Sequence, residues 1–135
     1  MKNSLTFIIL MILAGSCTPK TEAFNYGEDQ CSFCKMSIVD EKYAAEAVTA
    51  KGKVYKYDDI SCMIRHQRSL ETQDYAFRIV NNFDQPSEFI DVEKAFFITS
   101  DQYASPMGGN TAAFKNPVNT PQDNYNWTQL QEIFD

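Results

Sequence analysis

Cys31-Ser32-Phe33-Cys34-Lys35-Met36 places two thiols three positions apart and a thioether two positions beyond the second. Side chains of an extended segment repeat every second residue, so an extended Cys34–Met36 stretch puts both sulfurs on one face. A turn across Cys31 to Cys34 brings the first sulfur to the same point. Three convergent sulfur donors result, and thiolate plus thioether suits Cu(I) better than a hard cation. Zinc takes Cys, His and carboxylate ligands, and thioether lies outside its usual repertoire. Met36 is therefore the residue that favours copper. The bare C-x-x-C spacing also serves a disulfide, a redox pair or half of a zinc site, and Met also fills gaps in cores.

Other residues add to this set. Met107 stands in Pro106-Met107-Gly108-Gly109, a polar stretch with little core to fill, where two glycines let the backbone approach closely. It is the candidate donor closing over the metal. Cys62 and His66 lie four apart on a predicted helix and share a face. They are secondary metal candidates, with buried packing and polar surface as their ordinary roles. Asp58 and Asp59 read as helix caps rather than ligands, and Asp29 as a group beside the metal. Catalysis has little support: His66 is the only imidazole, and no nucleophile elbow, zinc-protease motif or phosphate-binding loop is present. A thioredoxin-like role needs the C-x-x-C to open a helix after a buried strand. Here it leads into Lys35-Met36-Ser37-Ile38-Val39, which has no helical pattern.

The elements that must position these residues alternate in type. Ser37-Ile38-Val39 is a short extended piece and Asp40-Glu41-Lys42 a polar turn. Tyr43–Ala50 and Val54–Tyr57 are predicted strands joined by a Lys51-Gly52-Lys53 hairpin turn. Asp58-Asp59 opens a helix running to Leu70 with Ile60, Met63, Ile64 and Leu70 as its apolar stripe. Tyr75–Asn81 returns as a strand, and Pro86-Ser87 breaks the chain. Glu88–Val92 and Ala95–Thr99 are two further strands. Residues 100–123 form a long loop, and a final helix from about Asn126 carries Trp127, Leu130, Ile133 and Phe134. The pattern is α+β.

The 135 residues suffice for one domain with one modest core, and a 44% hydrophobic content excludes a disordered chain. A net charge of -6 without a basic patch argues against nucleic acid as a partner. Lys2 followed by apolar Leu5–Ala14 reads as a signal segment, too short to span a bilayer. It ends in Leu13-Ala14-Gly15-Ser16-Cys17, which reads as a lipoprotein signal with residues 1–16 the signal peptide and Cys17 the lipidated residue, the alternative being an ordinary secretory signal with a chance cysteine. Residues 17–26 then form a tether and 27–135 the domain. Cys31, Cys34 and Cys62 remain, an odd count that leaves at least one thiol outside any disulfide.

Together these pieces resemble the NosL family of copper-binding lipoproteins, accessory proteins of nitrous oxide reductase. The resemblance rests on Cys17, on Cys34-Lys35-Met36, and on Tyr57-Asp58-Asp59-Ile60-Ser61-Cys62-Met63. It rests also on Ala95-Phe96-Phe97-Ile98 leading to Ser105-Pro106-Met107-Gly108. It implies two ββαβ-like halves, similar to the mercury lyase MerB. It further implies a Cu(I) metallochaperone on the periplasmic or cell-surface side of a membrane, held there by a lipid anchor. The implied client is nitrous oxide reductase or its assembly machinery, placing the protein in denitrification. Cys34, Met36 and Met107 match the family's candidate sulfur ligands, with Cys31 beside them. The rival readings are a thiol–disulfide redox protein built on Cys31 and Cys34, and a MerB-like organometal lyase.

Overall fold

Four short strands take the alternating or apolar stretches of the first two thirds of the chain. In the computed structural model, which describes residues 18–135, β1 spans Ala45–Thr49, β2 Val54–Tyr57, β3 Tyr75–Asn82 and β4 Gln85–Asp91. They form one antiparallel sheet in the order β2-β1-β3-β4. Gly52, at φ +85°, turns the chain between β1 and β2, a backbone conformation that glycine adopts without a Cβ clash. Strand β5 (Phe96–Thr99) and β6 (Thr111–Phe114) form a separate two-stranded antiparallel ribbon. The signal peptide and Cys17 lie outside the described residues.

Helix α1 (Ile60–Ser69) crosses from β2 to β3. The Asp59 side chain caps it by accepting the Ser61 N–H at 2.8 Å. Three of its expected stripe, Ile60, Met63 and Ile64, are buried, each contributing roughly 1.5–3 kcal/mol by leaving water, while Leu70 is the C-cap and packs half-buried against the core. Helix α2 (Trp127–Ile133) opens on a capping box between Asn126 and Gln129, and buries Trp127 and Leu130 in the same core. Among the described residues no helix is long and apolar enough to cross a membrane.

Two elements differ from the sequence reading. Thr111–Phe114 lies within the predicted loop yet forms β6, all four residues buried. Its alanines carry little strand propensity; pairing with β5, Phe97 opposite Ala113 and Ile98 opposite Ala112, supplies the order. Pro86-Ser87, predicted as a break, lies inside β4. That strand is a sheet edge, and the β3–β4 register shifts between Asn81 and Asn82, so no ladder bond is asked of the proline nitrogen. Within the predicted tether, Phe24 stacks on Tyr26 and Phe89, and the Glu22 N–H donates to Glu46 Oε1 at 3.0 Å. The stretch free of the domain therefore ends before Glu22.

Candidate metal centre

The sulfur motif folds as a loop closed at its base by a bridge between Gln30 and Ser37. The Cys31 N–H donates to the Met36 carbonyl at 2.8 Å, and the Lys35 N–H to the Cys31 carbonyl at 3.1 Å. Lys35 takes φ +67°, a left-handed turn conformation. The extended Cys34–Met36 geometry predicted from sequence therefore does not form, because closing the loop over four residues reverses the chain at Lys35. Ser32 fastens the loop to β2: its N–H donates to the Lys56 carbonyl at 2.7 Å, and its hydroxyl oxygen accepts the Lys56 N–H at 3.2 Å.

This fastening sets the loop against the start of α1. The Sγ atoms of Cys31, Cys34 and Cys62 and a carboxylate oxygen of Asp58 all lie within 4.8 Å of one another. Cys31, Asp58 and Cys62 are buried and Cys34 is half-buried; all three cysteines are free thiols. The Cys34 thiol is 3.4 Å from each Asp58 carboxylate oxygen. The three thiols differ in how readily each gives up its proton. A hydrogen bond from the Cys62 thiol, with the Asp58 and Cys34 N–H groups, holds Cys31 at about 6 against the opposing effect of burial. Burial, and then the hydrogen bond and charge of Cys31, push Cys34 up to about 11. Donating to Cys31, and then burial, push Cys62 far upward. These shifts favour the thiolate at Cys31 and the thiol at its two neighbours.

The second Met-bearing loop is tied to the same helix start. Asp59 Oδ2 accepts the Met107 N–H at 3.0 Å and the Ser105 hydroxyl at 2.5 Å, while Oδ1 accepts the Ser61 N–H and hydroxyl. Gly109 packs so closely that a Cβ there would stand 2.6 Å from Asp59 Oδ1 and Ser61 Oγ.

The predicted residues thus divide. Cys31 and Cys34 meet, and Cys62 joins them. Met36 and Met107 stand at the surface, 60% and 38% exposed. His66, one helical turn beyond Cys62, lies outside the cluster. Its Nδ1 shares a 2.9 Å hydrogen bond with the Tyr57 hydroxyl, and its ring is boxed by Phe33, Tyr55 and Tyr57. Burial, then Lys35 and Lys53, lower its pKa, so it stays neutral. Asp29 pairs with Lys56 at 2.7 Å instead of reaching the sulfurs. The residue that sequence reasoning missed is Asp58, taken for a cap. It precedes the N-cap of α1, so no helical spacing ties it to Cys62 in the sequence.

In this small α+β domain two thiols of a fastened turn meet a third at the start of a helix, an arrangement that could hold a metal ion. The solved chain described as the copper chaperone NosL from Shewanella denitrificans shares this fold at a TM-score of 0.68, with 15% sequence identity over 82% of this chain and 94% of that one. The NosL family profile matches residues 25–120. The chain belongs to the NosL family. No curated protein sequence matches it.

Proposed function

We propose that this protein is a membrane-tethered Cu(I) carrier, anchored through a lipid on Cys17 on the outer side of a membrane. It hands copper to nitrous oxide reductase or its assembly machinery. The observation that supports the reading best is the meeting of Cys31 and Cys34 in a cluster where Cys34 is only half-buried. Family membership and the fold of the copper chaperone support it independently. Cys31 and Cys34 hold Cu(I) as thiolates, and the neutral thioethers of Met36 and Met107 complete a soft donor set at the rim. Exposed thioethers bind weakly enough to be exchanged for a client's ligands, so transfer proceeds by ligand exchange and no substrate is turned over. The acidic chain, at net charge -6, favours approach to a basic client surface.

The test is anaerobic titration of the reduced domain with Cu(I) against a competing chelator, on wild type, Met36→Ala and Met107→Ala. The expected result is one tightly bound Cu(I) that either change weakens. Copper binding indifferent to both changes removes the thioethers from the site, and no tight copper binding sinks the carrier reading.

A further inference from the structure

The copper reading assigns no role to the outer face of the four-stranded sheet. Val80 and Ile90, opposite each other on β3 and β4, join Ala45, Ala47 and Tyr57 in the core with Ile60 and Ile64 of α1. Alternation sends Phe77, Ile79 and Asn81 of β3 to the other face, with Glu46 opposite Ile79, Lys56 opposite Glu46, and Phe89 opposite Asn81. The open face of a one-sided antiparallel sheet is normally polar. Here Phe77 is 39% and Phe89 43% exposed. Residues 22–26 run across this face as a strap. The Glu22 N–H reaches Glu46, and the Lys56 ammonium donates to the Ala23 carbonyl at 2.6 Å and lies over the Phe24 ring. Phe24 stacks on Phe89 with 6.0 Å between ring centroids, and the Tyr26 hydroxyl accepts from Asn81 Nδ2 at 2.9 Å. Tyr26 is itself 37% exposed, so the strap adds an aromatic edge to the apolar face and does not cover it.

We propose that this strapped face lies on the bilayer that carries the lipid anchor, with Tyr26, Phe77 and Phe89 at headgroup level. The proposal rests on the anchor at Cys17. From Cys17 to Glu22 the chain has a reach of at most about 18 Å. A domain of this size is about 35 Å across. While Glu22 stays bonded to Glu46, the anchor therefore holds the strapped face toward the membrane and the side where α1 and α2 pack away from it. Aromatic rings with a polar tip or rim favour the boundary between headgroups and acyl chains. The anchor makes docking an intramolecular step, so a small apolar face suffices. Glu22 and Asp91, both exposed on this side, disfavour an anionic surface, and zwitterionic lipid is the matching one.

The test uses the full chain, expressed with its signal segment, purified and reconstituted in phosphatidylcholine vesicles brominated near the headgroup. Phe77→Trp and Phe89→Trp are made singly at their exposed positions. The expected result is that each introduced indole loses at least about half of its emission to the bromolipid. Trp127, buried in the core, and an indole placed by Ile133→Trp on the exposed side of α2 keep theirs. Intact mass and flotation with the vesicles report the anchor separately. Protein that carries no acyl group, or does not float, overturns the anchor and this proposal with it. Acylated, floating protein whose indoles at 77 and 89 stay unquenched overturns the docked face alone. A blue-shifted but unquenched emission at those positions assigns the face to a second copy of the chain. Equal quenching at 133 means that the domain rolls freely on its tether, which also overturns the proposal.

Discussion

Asp59 Oδ2 accepts the backbone N–H of Met107 at 3.0 Å, across 48 residues of sequence. The same carboxylate caps α1 and takes the Ser105 hydroxyl, so one buried side chain fixes the helix start and the methionine loop together. Replacing it with Ala strands the Ser61 and Met107 N–H groups and two serine hydroxyls. The expected cost is about 2–4 kcal/mol in urea unfolding, from a lost cap and several unpaired donors. Hydrogen exchange at residues 105–110 should rise before the rest of the domain. Exchange confined to its wild-type rate there would mean that the loop is held by other contacts.

Gly109 is the other half of that joint. An added methyl meets Asp59 Oδ1, Ser61 Cβ and Ser61 Oγ, each at 2.6 Å, and none of these can swing away while Asp59 caps the helix. Gly109→Ala should destabilise by about 1–3 kcal/mol, as overpacking does, and should weaken any contribution of Met107 to Cu(I) binding. Gly108→Ala is the comparison. Its Cβ meets open space, and the cost comes only from the +70° φ, about 1 kcal/mol. Equal losses from the two changes would contradict the close approach.

How much of this the sequence discloses depends on which force decides each element. The hairpin, α1 and its apolar stripe are written in local periodicity and in Gly52 and Asp59, and they are legible. Strand β6 is not, because Thr111-Ala112-Ala113-Phe114 becomes a strand through its partner β5. At the site, Cys31 and Cys34 declare themselves by spacing. The Cys34–Met36 geometry does not follow from spacing, since a left-handed Lys35 has no signal in a Cys-Lys-Met string. Asp58 and Asp59 look alike as neighbours, and only the fold sends one to the thiols and the other to the helix amides.

His66 gives an acid-side signature. Its pKa is lowered in the fold by burial and by Lys35 and Lys53. The unfolded chain therefore binds the proton more readily, and stability falls as pH drops from its ordinary value near 6.5 toward the folded value. His66→Gln keeps a polar group opposite the Tyr57 hydroxyl and cannot titrate. Between pH 7 and pH 5.5, wild type should lose stability relative to His66→Gln, measured by urea midpoint at each pH. Parallel curves would show that the imidazole is as easily protonated folded as unfolded.

Proton release counts the thiols that copper recruits. At pH 7 Cys31, at about 6, is already mostly thiolate, while Cys34, at about 11, and Cys62, raised further, keep their protons. Metal binding releases a proton for each thiol that becomes a ligand. Cu(I) held by Cys31 and Cys34 should therefore release about one proton. The count should rise by one as pH falls through about 6, where Cys31 itself becomes protonated, and the affinity should weaken more steeply below that point. Calorimetry in buffers of different ionisation heat reads the count directly. Two protons released by Cu(I) at pH 7 would place Cys62 among the copper ligands. A count near zero would mean that Cu(I) binds without displacing a thiol proton, which a protonated Cys34 ligand does not permit.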